Sequence, residues 1–332
     1  MIKRRIKIIF AVGFFLLLLS SLAGIFLGAA KLSPAQLLAD IFQSGLSKSE
    51  RILLYVRLPR VLGTILAGAA LAVSGAIIQA VLGNPIAAPN IIGVNAGAGF
   101  FTVLCLAAFP NFLNILPAAA FIGAFAAVML VYGIAKKTGA SKMTLVLSGV
   151  AVSSLMNAAS DTVITLFPDV LTGFSSFRAG SVSGLSLAKI FPAWIYIWVG
   201  IIAAFLLSHD LDILSLGDKT AQSLGMNVSL MRFIFLAAAA LLAGAAVSFS
   251  GLIGFVGLVV PHIVRRLSGT SENRIIIPLC AIFGGTFVNV CDIASRTFFA
   301  PYELPLGICI SYIGAPFFIY LLIRKKGGKH GD

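Results

Sequence analysis

The chain has 332 residues, 59% of them hydrophobic and only 11% charged, with a mean hydropathy of +1.06. So few polar groups cannot cover that much apolar surface in water, which excludes a soluble domain and implies a polytopic α-helical membrane protein. The net charge of +13 is therefore to be read by loop position, not as a nucleic-acid footprint.

Lys3, Arg4, Arg5 and Lys7 precede an apolar run ending near Ala30. It exceeds the ~7–15 residues of a signal-peptide core, so an uncleaved first span with a cytoplasmic N-terminus is expected. Residues 31–56 are polar and partly amphipathic (LSPAQLLADIFQ), predicting a short external helix on the membrane surface. Next comes the stretch around which the chain is organised, Arg57 to Phe100. Arg57 and Arg60 flank Pro59, and an apolar run from Val61 to Gly83 is long enough to cross a bilayer. Its many Gly, Ala and Ser residues let neighbouring backbones approach, which places it inside a bundle. Gln79, its one strongly polar side chain, should face protein or a water-filled path. Asn84-Pro85 ends that helix, and Pro89 keeps the next segment irregular.

Further spans are expected over 91–109, 117–135 and 143–167, with Lys136, Lys137 and Lys142 around the loop between the last two. Residues 168–189, rich in Gly and Ser, read as an external segment. The span 190–208 carries Trp194, Tyr196 and Trp198, side chains suited to a membrane interface. From His209 to Arg232 the chain is polar, and Asp218 to Leu224 reads as a short helix stopped by Gly225. The apolar stretch 233–264 is too long for one crossing, and its glycines predict a break at about Gly251. The ninth span, 275–297, follows Arg265, Arg266 and Arg274, and the tenth ends at Arg324. Ten crossings put both basic termini on one side, together with twice as many Lys and Arg as the other side receives, as the positive-inside rule requires.

Cys105, Cys280, Cys291 and Cys309 lie in apolar segments without a CxxC pair and read as packing residues. His209, His262 and His330 are scattered, and His262 reads as a structural histidine. Asp292, one helical turn before Arg296, is placed to pair with it. Asp161 is near the outer end of the fifth span, where it would border a vestibule. A secondary transporter would need coupling acids at mid-membrane, and here the acids near spans lie at their ends. A membrane-embedded enzyme would need clustered His, Asp or Glu on one face.

Three blocks, RLPR…GAALAVSGAIIQAVLGNPIAAPNIIGVNAGA, GLIGFVGLVVPHIVRRLSG and DIASR…ELPLGICISYIGAPFFIYLL, together resemble the FecCD-type permease family of ABC importers for iron–siderophore, haem and cobalamin complexes. The likeness runs over nearly the whole chain. Ala88 stands where the family usually has Asp, and Phe177-Arg178-Ala179 replaces a usual Trp-containing approach to Gly180-Ser181.

The resemblance implies an all-α type II ABC importer-like fold with ten transmembrane helices per subunit. The pore then lies between two copies, or between this chain and a paralogous permease, in a bacterial-type plasma membrane with both termini cytoplasmic. It implies two cytoplasmic ATPase subunits, which hold the ATP and Mg, and an external substrate-binding protein. This chain has no GxxxxGK[ST] phosphate loop, no cofactor is expected in it, and no nucleic acid is expected as a partner. Asp218, Ala221, Leu224 and Gly225 correspond to the family's coupling segment. Asn84, Pro85 and Ile86 match its cytoplasmic gate, with Thr138 to Met143, Ser141 among them, as a second gate loop. Arg57, Arg60 and Arg296 match external basic residues that meet carboxylates on the binding protein. An iron–siderophore complex is the expected substrate, with cobalamin, haem or an oxyanion as the alternatives.

Overall fold

The computed structural model describes residues 2–28, 47–138, 141–300 and 302–326. They form helices throughout: α1 Ile2–Phe26, α2 Lys48–Ile52, α3 Leu58–Leu82, α4 Val94–Ala108, α5 Leu116–Lys137, α6 Lys142–Leu166, α7 Val170–Ala179, α8 Leu187–Leu206, α9 Ser208–Ser215, α10 Asp218–Ser223, α11 Val228–Ser250, α12 Val256–Ser268, α13 Asn273–Thr297 and α14 Leu306–Lys326. Seven helical stretches among the described residues are long and apolar enough to cross a membrane. Val94–Ala108 and Leu306–Tyr320 are apolar but shorter.

The helix α3 is the axis of the bundle. Every residue from 67 to 82 is buried, as expected of a helix that is apolar on all sides. Its small residues permit this. A Cβ on Gly68 would overlap the carbonyl of Gly284 in α13, and one on Gly75 the carbonyl of Gly257 in α12. Backbones therefore meet at both crossings, where dispersion and close packing replace the hydrophobic effect as the source of helix association. The register is set by contacts along α13. Arg60 meets Asp292, Thr64 meets Asn289 and Gly68 meets Gly284, so α3 and α13 run antiparallel. Ser20 reaches Asn289 and Gly24 reaches Arg296, so α1 lies alongside α13 in parallel.

Gly75→Val should therefore be more damaging than its added volume alone suggests, since the obstacle is backbone. Overpacking of this kind costs roughly 1–3 kcal/mol or more. In detergent the variant is expected to unfold several degrees lower or to yield little monodisperse protein, whereas Gly133→Val, at a position with open space, should not change either. Equal melting of the two variants would contradict the crossing geometry.

The break expected near Gly251 is present: α11 ends at Ser250 and α12 begins at Val256. Gly251 has φ 68°, and the loop closes at Phe255, the one non-glycine at positive φ among the described residues (62°), which packs on Gly314 of α14. Within the Gly- and Ser-rich segment 168–189, for which the sequence offers no helix, residues 170–179 form α7. Its Gly173 and Ser residues sit in a helix held by Val170 and Phe174 packing against Val103 and Leu106 of α4. Residues 48–57, at the described end of the stretch 31–56, are continuous with the axial helix. They run through a π-type turn, Leu53–Arg57, directly into α3. The amphipathic stretch LSPAQLLADIFQ lies outside the described residues.

Candidate translocation site

The two ends of the bundle carry different chemistry. At the Asn84 end, Gly83 closes α3 at φ 59°. The Asn84 side-chain oxygen then accepts a hydrogen bond from the Ile86 N–H (3.1 Å), an Asx turn that holds the Asn84-Pro85-Ile86 corner. Asn84 and Pro85 are exposed and Ile86 is half-buried. Ser141 caps α6 by accepting from the Thr144 N–H (3.1 Å), and Thr138 ends α5 by donating its hydroxyl to the Ile134 carbonyl (3.1 Å). The next residue after the cap, Lys142, lays its side chain over Gly83. The structure thus brings the Asn84 corner and the Ser141 segment together, although 57 positions separate them in the chain. Just inside, Gln79 of α3 donates to the Gly257 carbonyl (3.2 Å) and accepts from Arg265. The one strongly polar side chain within the apolar run of α3 thus faces protein.

The same end carries α9 and α10. Asp212 of α9 accepts from both the backbone N–H (2.9 Å) and the side-chain amide (2.8 Å) of Asn273, which fastens α9 to the start of α13. Asp218 accepts from Arg232 at 2.6 Å, fastening α10 to α11. Gly225 turns the chain at φ 82°. Ala221 is fully buried, whereas Leu224 is 62% and Leu216 64% exposed. The four expected coupling residues therefore divide. Asp218 and Ala221 hold the element in place, Gly225 turns it, and Leu224 faces outward. Ala221 cannot itself be a contact side chain, because the helical turn around it folds its methyl onto the bundle.

At the Arg60 end lie the three arginines expected to dock the binding protein, and each is nearly buried in this chain. Arg57, Arg60 and Arg296 are 5%, 8% and 2% exposed. Arg60 makes a two-pronged contact with Asp292 (Nε and Nη2 to Oδ1, both 3.0 Å) and pairs with Glu303 at 2.9 Å. Arg296 donates to the Gly24 carbonyl (2.7 Å) and lies 3.3 Å from the second Asp292 oxygen. Arg57 donates to the Leu27 carbonyl. The pairing of Asp292 with Arg296 is as expected from their spacing. The wider network joins α1, α3, α13 and the approach to α14, and a charge this deep needs such partners. Below it, Thr64 donates to Asn289 (3.0 Å) and Asn289 to Ser20 (3.3 Å), extending the polar column inward.

One further face is only partly legible in the sequence. Along α6, Ser154, Asn157, Asp161 and Thr165 recur at helical spacing and all are exposed. A lipid-facing carboxylate and carboxamide on a span are costly, so this face belongs beside water or protein. The spacing of these polar residues is the signal the sequence offers; their common exposure is not. Among the described residues the cysteines are free, three buried and Cys309 half-buried, and His262 packs edge-on against Phe317 (6.2 Å).

Similarity to known proteins extends along nearly the full chain. The chain is 36% identical over 311 residues to the Fe(3+)-citrate import system permease protein YfmE of Bacillus subtilis, covering 92% of each. It is 35% identical over 334 residues to the iron-uptake system permease protein FeuB of the same organism, covering 99% of each. Its fold superposes on a solved inward-facing conformation of a metal-chelate type ABC transporter with a TM-score of 0.85 and 27% identity, over 96% of this chain and 99% of that one. The profile of the FecCD transport family matches residues 16–324, a span that holds the axial helix, both segments of the Asn84 end and the buried charge network alike. The chain belongs to the FecCD transport family.

Proposed function

We propose that this chain is the permease subunit of a binding-protein-dependent ABC importer and that it passes a ferric chelate between two permease chains. The observation that carries the reading is the exposed polar face of α6 on an otherwise apolar span, within a fold matched end to end by permeases named for ferric-citrate and iron uptake. In this reading α1, α3, α4, α5, α6, α8, α11, α12, α13 and α14 are ten crossings, with the shorter ones completed by their flanking loops. The Asn84 end, which holds most of the basic loops, is cytoplasmic. The Asn84 corner and the Ser141 segment form the gate. Leu216 and Leu224 seat on separate ATPase subunits, which bind ATP and Mg, and a substrate-binding protein docks at the Arg60 end. There the arginine network anchors the surface and does not itself make the contact.

Reconstituted in liposomes with its ATPase and loaded binding protein, the wild type should take up iron only when ATP is supplied to the cytoplasmic side. Uptake driven by an ion gradient without the ATPase would replace this reading with a secondary transporter. Competition by haem or cobalamin, without competition by ferric chelates, would move the substrate within the family.

The coupling assignment has its own test. Leu224 is exposed, so Leu224→Glu should leave the permease folded. If its side chain fills a pocket on the ATPase, affinity should fall about tenfold or more, as for a central interface residue. Copurification of the ATPase at wild-type affinity would leave α10 as a loop element only.

A further inference from the structure

The helix α7 is fastened in place through its backbone. The Phe177 carbonyl accepts from the Leu252 N–H (2.9 Å), the Ser181 N–H donates to the Ser250 carbonyl (2.9 Å), and the Gly180 carbonyl accepts from Gly307 at the start of α14 (3.1 Å). Phe174 and Phe177 pack inward, with ring centroids 6.4 Å apart. Arg178 is the charged residue that α7 directs outward, held over two adjoining recesses that share it and Leu252. One, of about 270 Å³, is lined also by Asn95 of α4 and by Asn157, Ser160 and Asp161 of α6. The other, of about 560 Å³, is walled by α14 residues including Ser311 and Tyr312.

The side chains of Arg178, Asp161, Asn157 and Asn95 make no hydrogen bond or ion pair with another described residue. Four polar groups from three helices thus converge on one space without satisfying each other, whereas Arg57, Arg60 and Arg296 all find partners within the fold. Asn157, Asp161 and Arg178 are exposed and Asn95 is half-buried, so these groups are open to water or to a polar ligand that enters the recess. The set is also chemically mixed: a guanidinium fork that matches carboxylate oxygens, a carboxylate that accepts, and two carboxamides that do both. The larger recess is of the size that takes a small molecule, and the smaller opens beside it through the shared Arg178 and Leu252.

Resting on the proposed function, we infer that Arg178, with Asp161, Asn157 and Asn95, is a selectivity station for the substrate in transit. Arg178 takes the anionic oxygens of an oxygen-donor ferric chelate, and Asp161 takes a hydroxyl or amide donor of the same ligand shell. Contact is transient, since a site that held the chelate tightly would slow its release.

The test uses the complete transporter in liposomes, with binding protein and ATPase, and two probes: radiolabelled ferric citrate, which is anionic, and a cationic ferric trihydroxamate carrying an ammonium group. Arg178→Ala should lower ferric-citrate uptake about tenfold, the scale of one charge-assisted hydrogen bond. Arg178→Lys should restore part of it, and Arg178→Glu should lower it further while sparing or raising the ratio of cationic to anionic uptake. Permease assembly and binding-protein affinity should stay at wild-type values. Unchanged selectivity in Arg178→Ala and Arg178→Glu, in a transporter whose wild type imports either chelate, overturns the station and leaves the permease reading intact. Loss of assembly in Arg178→Ala assigns the residue to a subunit contact and also overturns it. A wild type that imports neither chelate removes the ferric-chelate reading, and the station with it.

Discussion

Asp292→Ala is expected to be the most destabilising single substitution in the chain. Asp292 is fully buried and touches two arginines, Arg60 at 3.0 Å and Arg296 at 3.3 Å, each itself nearly buried. Removing it leaves two like charges with one partly exposed acid, Glu303, to offset them, since that carboxylate is 38% exposed. Breaking a buried pair from one side costs about 3–5 kcal/mol, because the remaining charge stays desolvated. Glu303→Ala should cost far less, about 1 kcal/mol or below, as for exposed pairs. In detergent, Asp292→Ala should melt well below wild type or fail to accumulate, with Asp292→Asn between the two. Adding Arg296→Met to Asp292→Ala should recover part of the loss, because it removes one stranded charge; a sum of independent effects would show no recovery. Wild-type melting of Asp292→Ala would mean that the network does not hold α1, α3 and α13 together.

That network also marks where the sequence can be read and where it cannot. Hydropathy locates the spans closely: it predicts 143–167 where Lys142–Leu166 is found, and a break at about Gly251 where α11 ends at Ser250. Long apolar runs are bounded by charges and glycines, so their limits are local information. The arginines read as surface because each lies at the end of a span, which is also local. Whether a charge at a span end faces water or a partner depends on Asp292, 232 positions from Arg60, and no local pattern carries that distance. The chain's scarcity of acids, 11 in all, is the usable hint: two of them, Asp292 and Glu303, sit at the same end as three arginines. The helix α7 escapes a sequence reading for a related reason. Its Gly and Ser content disfavours a helix by intrinsic propensity, and packing of Val170 and Phe174 against α4 overrides it. At the Asn84 end the irregular corner is legible because Asn-Pro constrains the backbone, whereas the neighbour that Lys142 supplies is not.

A cysteine at position 84 is expected to disable transport when it is oxidised. Asn84 is exposed at a corner whose backbone is set by Gly83 at φ 59° and by Pro85, so the position is defined and reachable. The native thiols do not compete strongly, since Cys105, Cys280 and Cys291 are buried and Cys309 is half-buried. If two permease chains close the pore here, Asn84→Cys should form a disulfide across the pair in the closed state. That requires the two Cα atoms to come within about 7 Å. Uptake should then fall nearly to background under oxidant and return fully with reductant. The loss of the Asx turn to Ile86 is a separate and smaller effect, readable as the difference between wild type and the reduced variant, and Asn84→Asp, which keeps the accepting oxygen, should show less of it. Thr138→Cys and Ser141→Cys extend the test, since Lys142 sets the second segment against the first. Efficient labelling of the introduced thiol without crosslinking in any nucleotide state would place the constriction elsewhere, and uptake that persists despite a complete crosslink would show that this corner does not gate.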